Sequence, residues 1–348
     1  MKRKIIILVL IISLSLMFSV TGLAFVSPLS SSSGVLTGKI IILDPGHGAD
    51  TTNYHMGYCE HTAMLALARK IKPLLEDRGA TVHLTRSTDD GVLLSTRVAM
   101  SNILSLKAIK YSMVQNAADE DILINDLNEI DRLIGIMHSI ITNPEDYAAI
   151  YFNTPFSPLV PIHPDLERIF KLQSDPMIGE RFLFISLHTN ATSRPIDTTV
   201  HGADVFHISN NIRSMTDYFS NYSFVDQSAR FGEIILDHIN NVGIQKRTVS
   251  QSNYFVIREH NIPAVLVENG HHTSPYDRAI LMSDFFLERL AYAYLDAITA
   301  YFTDPPLPPM PPKPFDPLDL RPPWLRPLSR ILNLLDPDLP AALSSGNP

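Results

Sequence analysis

The chain of 348 residues has a single cysteine, Cys59, so it cannot form an internal disulfide and must be stabilised by packing. It also lacks an excess of positive charge. Its 28 basic and 36 acidic side chains give a net charge of -8, which argues against nucleic acid or an anionic membrane surface as a partner. No glycine-rich phosphate loop follows a strand-like segment, so nothing indicates nucleotide binding. The chain is, however, 45% hydrophobic, which is enough for one large domain.

The N-terminus has the pattern of an export signal. Residues 2–4 are basic and precede an uncharged apolar run from residue 5 to about residue 26. Small residues at 22–24 suit a signal peptidase, whereas the length of the run approaches the roughly 20 residues that span a bilayer. Residues 1–26 are therefore predicted to be a signal peptide or a membrane anchor. We expect the rest of the chain to be exported, to the cell wall, the periplasm or the extracellular space.

The middle of the chain alternates strand-like and helix-like segments. Strands are predicted at residues 39–43, 80–85, 182–187, 254–257 and 264–267, and helices at residues 60–78, 94–102, 225–241 and 277–302. This alternation predicts an α/β fold in which a largely parallel sheet is covered by helices on both faces. Residues 38–303 are expected to form this domain.

Two regions depart from the alternation. The first is a long, mostly helical insertion at about residues 103–180, where apolar residues recur at steps of three to five and predict at least one amphipathic helix. These apolar residues are Ile122, Leu127, Ile130, Ile134, Met137 and Ile141. The second is a proline-rich tail, residues 304–348, predicted to be extended and disordered, with a docking element as the alternative.

Polar residues that can bind a metal follow the predicted strands. His47, His188 and Glu268 each come after a buried run, and Glu60 opens the first helix. In open α/β sheets ligands bind at the strand ends, so these four residues are expected to converge. Two neutral imidazoles and one carboxylate match the open zinc site of many hydrolases, and a second carboxylate serves there as a general base.

Each of these residues also has an ordinary structural interpretation. A histidine at a strand end is often only solvated or hydrogen-bonded. A glutamate at a helix start, such as Glu60, often complements the helix dipole. The joint placement of the four residues favours the metal site.

Five motifs carry a family resemblance. They are residues 43–48, Glu60 ahead of a helix, residues 84–97, residues 184–190 and residues 263–270. In this order they resemble the zinc-dependent N-acetylmuramoyl-L-alanine amidases of the Amidase_3 family. The resemblance implies that residues 38–303 are the catalytic domain, that His47, Glu60 and His188 bind Zn²⁺, and that Glu268 is the catalytic base.

The resemblance further implies that the substrate is peptidoglycan, cleaved between N-acetylmuramic acid and the L-alanine of the stem peptide. A zinc peptidase that cuts within the stem peptide, and a non-catalytic wall-binding regulator, are the alternatives. An activator or anchoring partner is expected to bind through the insertion or the proline-rich tail.

Several residues beyond the ligand set carry expectations. Asn190 is expected to orient a ligand or the substrate carbonyl. Arg86 and Arg97 are expected to pair structurally with Asp89 or Asp90, with contact to a stem-peptide carboxylate as the alternative. Three interpretations are open for His271 and His272: they line the pocket, they bind a second metal, or they lie on a surface turn. The insertion is a candidate gate that controls access to the metal site. Its acidic residues 119–121 are expected either to block the metal or to form a solvated helix start.

Overall fold

A computed structural model describes residues 34–49, 54–116, 120–153, 161–209 and 222–303. The predicted leader, residues 1–26, and the predicted tail, residues 304–348, lie outside these residues. No helix within the described ranges is long and apolar enough to cross a membrane.

Six strands form the main sheet, in the order β4-β1-β5-β8-β6-β7. They are β1 (Ile40–Pro45), β4 (Thr81–Leu84), β5 (Phe182–Asn190), β6 (Ala203–His207), β7 (Lys246–Gln251) and β8 (Ala264–His271). All neighbouring pairs are parallel except β6 and β8. A short antiparallel hairpin, β2 (Tyr54–His55) and β3 (Tyr58–Cys59), follows β1. The predicted α/β class with a largely parallel sheet is confirmed.

Helices cover both faces of the sheet. The helices are α1 (Glu60–Glu76), α2 (Leu94–Asn116), α3 (Glu120–Thr142), α4 (Pro144–Tyr151), α5 (Pro164–Gln173), α6 (Pro176–Arg181), α7 (Val225–Asn241), α8 (Phe255–Arg258), α9 (Pro275–Leu281) and α10 (Asp284–Thr303). One core joins α1, α7 and α10 to one face, and a second core joins α2, α3, α5 and α8 to the other. Alternate residues of β1, such as Ile41 and Ile42, enter different cores. Burial on both faces explains why the central strands read as continuous apolar runs.

The insertion is part of the second core. Helix α2 runs 14 residues beyond the predicted end at residue 102 and packs against α3. Helix α3 buries Ile130, Leu133, Met137 and Ile140, and Ile134 and Ile141 pack against the same core. The expected amphipathic helix is therefore present, with Leu133 and Ile140 added to the predicted apolar face. The acidic residues 119–121 lie outside the described side chains.

Three local predictions were wrong. Residues 254–257 were predicted as a strand, but Tyr254 caps the short helix α8 and residues 255–257 lie within it. A run of four apolar residues fits either structure. The long helix predicted at 277–302 is broken between Leu281 and Asp284 into α9 and α10. Strands β6 and β7 were not predicted. Strand β7 is a half-exposed edge strand of mostly polar residues and lacks a hydrophobic signal.

A buried histidine follows helix α8. His260 is 1% exposed, and its ring lies 4.9 Å from that of Phe184. Burial lowers the pKa of His260 to about 4, and backbone hydrogen bonding at Val256 and His260, followed by the negative charge of Asp44, opposes the shift only in part.

We expect His260 to make the protein sensitive to acid. The unfolded chain takes up this proton near pH 6.5 and the folded chain only near pH 4, so the free energy of unfolding should fall on acidification through that window, by on the order of 3 kcal/mol. Urea unfolding between pH 7 and pH 4 should show a shallower loss in His260→Leu than in wild type. The exposed His138→Leu is the control, and equal slopes in all three proteins would contradict the expectation.

Candidate metal centre

His47 is held in a tight turn at the end of β1. The turn follows Pro45, and His47 has a φ of 58°, in the left-handed region that non-glycine residues rarely adopt. Gly46 is needed beside it because a Cβ there would lie 2.4 Å from the imidazole of His188. The absence of a side chain at Gly46 therefore lets the two histidines approach, with their ring centres 4.8 Å apart.

Glu60 lies between the two imidazoles. Its carboxylate Oε1 is 3.3 Å from Nε2 of His47 and 3.2 Å from Nδ1 of His188. The backbone N–H of Thr189 donates to the same oxygen at 2.8 Å. Burial would raise the pKa of Glu60, but the hydrogen bonds and charges of His188 and His47 outweigh it and hold the pKa well below its usual range.

His47, Glu60 and His188 form a group with the donor atoms that a metal ion requires. One ligand atom from each residue lies within 4.8 Å of the other two. Across the described ranges of the chain, these three residues are the sole group of this kind. Imidazole nitrogens and a carboxylate oxygen are a donor set that suits zinc.

Glu268 lies next to this cluster on the sheet. In the register of β5 and β8 it pairs with His188, and in that of β8 and β6 it pairs with Asp204. Its Oε2 is buried and has no hydrogen-bond partner among the described residues. Burial, followed by the negative charges of Glu60 and Asp204, raises the pKa of Glu268 well above its usual value.

The buried carboxylate of Asp44 helps to hold the turn that carries His47. Asp44 accepts hydrogen bonds from Thr85 Oγ1 (2.5 Å), Ser186 Oγ (2.6 Å) and Arg97 Nη1 (2.7 Å). Arg97 also donates to the carbonyls of Pro45 (2.7 Å) and His47. The expected pairing of Arg97 with Asp89 or Asp90 is therefore wrong, since its carboxylate partner is 53 residues earlier in the chain.

Arg86 holds the same turn from the other side. Its guanidinium donates to the carbonyls of Pro45 and Gly46, both at 2.9 Å, and to that of His61 at 2.6 Å. Its hydrogen-bond partners are thus backbone oxygens, not the expected Asp89 or Asp90 side chains. Arg86 and Arg97 together fix the backbone that presents His47.

Asn269 supports His188, although sequence reasoning missed it. Its amide Nδ2 donates to the carbonyl of His188 at 3.2 Å, and its Oδ1 accepts from the Tyr294 hydroxyl at 2.8 Å. The feature of the sequence that could have identified Asn269 is its position directly after Glu268. The amide oxygen of Asn190, expected to orient a ligand, accepts a hydrogen bond from Ala191 N–H instead.

His271 and His272 are both buried, so the surface-turn interpretation is wrong. Nδ1 of His271 is 2.9 Å from the Gly202 carbonyl. The His272 ring stacks on Tyr58 at 5.5 Å, and its Nδ1 is 3.1 Å from Thr189 Oγ1. Neither joins a metal-binding group among the described residues, and His272 lines a groove.

The His–Glu–His cluster lies at the carboxyl edge of a mostly parallel α/β sheet, which is where ligands bind in such folds. The family model described as N-acetylmuramoyl-L-alanine amidase, Amidase_3, matches residues 41–110 and 164–300. The chain belongs to this family. Residues 111–163, which contain most of the insertion, lie outside the match.

Individual relatives are distant. The N-acetylmuramoyl-L-alanine amidase AmiA of Salmonella typhimurium is 22% identical over 267 residues, which is 76% of each chain. The probable cell wall amidase LytH of Staphylococcus saprophyticus is 42% identical over 66 residues, 18% of this chain and 23% of LytH. Among solved structures, the amidase Ami1 of Mycobacterium smegmatis aligns over 77% of this chain and 98% of its own, with 16% identity and a TM-score of 0.47.

We expect Arg97→Met to destabilise the fold strongly. The change leaves the buried Asp44 carboxylate without its counter-charge, which costs roughly 3–5 kcal/mol. Lys110→Met, which removes a surface pair with Asp131, should cost less than about 1 kcal/mol. Urea unfolding of both variants measures the difference, and similar costs for the two would refute the role given to Asp44.

Proposed function

We propose that the protein is a zinc-dependent peptidoglycan hydrolase that cleaves the amide bond between N-acetylmuramic acid and the L-alanine of the stem peptide. The observation that carries the proposal is the convergence of His47, Glu60 and His188 within 4.8 Å, in a chain of the amidase family. In this proposal these three residues hold zinc and Glu268 is the catalytic base.

The residues present suit a zinc ion. Two imidazoles and one carboxylate leave a coordination position open, which is the usual composition of a catalytic zinc site. When bound, zinc would acidify a water molecule and polarise the substrate carbonyl, and its charge would favour ionised Glu268 over the protonated form.

Glu268 has the environment of a base that accepts and returns a proton. Its Oε2 has no hydrogen-bond partner among the described residues, so no described donor competes for that oxygen. In this proposal the Glu268 carboxylate takes the proton of the attacking water and then delivers it to the nitrogen of L-alanine as the amide C–N bond breaks. Asn269 and Thr189 hold the neighbouring ligands in place through His188 O and Glu60 Oε1.

The regions outside the family match suggest how the enzyme reaches its substrate. We propose that residues 1–26 direct export, because peptidoglycan lies outside the cytoplasm. The insertion, with helices α3 and α4 outside the family match, is the proposed element that shapes or gates access and meets any activating partner.

We expect the ligand residues to determine metal content. Purified protein should contain about one zinc ion per chain by elemental analysis. His47→Ala and His188→Ala should lose most of it, since each removes one of three ligands, while His138→Ala, on the exposed face of α3, should retain it. Full zinc retention in both ligand variants would contradict the assignment.

We expect Glu268→Gln to lower the hydrolysis rate by roughly 10²–10⁴-fold because the amide cannot accept the proton. Zinc content should be unchanged, and Glu167→Gln, on the distant helix α5, should behave as wild type. Peptidoglycan digested with each protein is analysed by mass spectrometry. New L-alanine amino termini are expected. Cuts elsewhere in the stem would establish a peptidase, and no product would point to a non-catalytic protein.

A further inference from the structure

An open groove of about 260 Å³ lies beside the cluster and is not used by the chemistry above. It runs between the β2–β3 hairpin and the loop that follows β5. Tyr54 and His55 line it from the hairpin, residues 191–195 from the loop, and His272 and Thr273 from the end of β8.

The groove is directly connected to the ligand set. Thr189 donates its backbone N–H to Glu60, and its hydroxyl is 3.1 Å from Nδ1 of His272, which lines the groove. Tyr58 stacks on the other side of His272 and donates its hydroxyl to Thr189 at 3.2 Å. His272 therefore connects the groove to the residues around Glu60, which places the groove next to the cluster.

The loop that forms one wall is fixed in place. Thr192 N–H donates to Thr273 Oγ1 and Asp197 N–H donates to the Thr273 carbonyl, both at 3.1 Å. The backbone N–H of Arg194 donates to Thr192 Oγ1 at 3.3 Å. These bonds hold the backbone of Arg194 at the groove without engaging its guanidinium.

The described residues that line the groove include the cationic Arg194 and no anionic side chain. No carboxylate is among its described lining residues, although the chain as a whole is acidic. Arg194 is exposed, and its guanidinium has no ion-pair partner in the part of the chain that the structure describes. Nε2 of His55 also has no hydrogen-bond partner within the described ranges. The lining thus combines one guanidinium with hydroxyls and imidazoles, a set of hydrogen-bond donors that favours a carboxylate ligand.

We infer that the groove binds a carboxylate of the stem peptide and that Arg194 recognises it; this inference rests on the proposed function. The muramic acid side of the scissile bond is neutral, because its own carboxyl group is consumed in the amide. The free acids lie on the peptide side, the nearest on the residue after L-alanine. The enzyme therefore prefers stems in which that carboxylate is free over stems in which it is amidated.

The test uses two synthetic disaccharide peptides that differ only in whether this group is a carboxylate or a carboxamide. For the full-length zinc enzyme, kcat/KM should be about tenfold higher for the acid, mainly through KM. Arg194→Gln should lower kcat/KM about tenfold for the acid and leave the amide within about twofold, while Arg194→Lys should retain part of the preference. Arg78→Gln is the matched control, since Arg78 is exposed at the opposite edge of the sheet.

Calorimetric binding of the free acid and amide peptides, without the sugar, gives a readout independent of turnover. Tighter binding of the acid that is lost in Arg194→Gln supports the inference even for a slow enzyme. Equal affinities, or an equal loss for both peptides, would overturn it. Cleavage of both substrates without preference also overturns the inference and leaves the proposed function standing. Absence of cleavage, with selective binding retained, would instead count against the proposed function alone.

Discussion

The buried carboxylate of Asp44 is the constraint on which the site depends. A carboxylate removed from water is tolerated only with its hydrogen bonds satisfied and its charge paired. Its partners come from different elements: Thr85 after β4, Ser186 on β5 and Arg97 on α2. The ion pair is therefore complete only when these elements are assembled. Because Arg97 also donates to the carbonyl of His47, the interaction that completes the core also stabilises the left-handed backbone that presents His47, the proposed metal ligand.

Much of this arrangement could be predicted from sequence because it follows from strand ends. Parallel strands bring their carboxyl ends to one edge, so His47 and His188, each following an apolar run, had to be neighbours. The partner of Arg97 could not be found in this way. Sequence reasoning chose acidic residues close in the chain, whereas Asp44 sits within the β1 motif and gives no sign that it is paired. The burial of His271 was equally hidden, because a pair of histidines after a glycine has the composition of a surface turn.

The second core explains why the predicted C-terminal end of helix α2 was wrong. Helix α2 was expected to end near residue 102, but Leu106 and Ile109 continue the same buried face. Leu106 and Ile109 belong to the second core, which also contains Phe170 of helix α5 and Phe184 of strand β5. The insertion is thus structurally continuous with the catalytic fold. A deletion that begins inside α2 would remove core residues, so its effect on substrate range could not be separated from a loss of stability.

Three carboxylates lie close together at the edge of the sheet, and their partners separate their roles. Asp204 accepts hydrogen bonds from Arg247 and Thr248, which satisfy it structurally. Glu60 lies between two imidazoles, so it remains ionised and suited to bind a cation. Among the described residues Glu268 has neither kind of partner for its Oε2, and burial, followed by the charges of the other two carboxylates, raises its pKa. Environments that push the pKa values of neighbouring carboxylates apart are how one site obtains both a ligand and a base. Glu268 is therefore the member of the three that we propose to take up and release a proton.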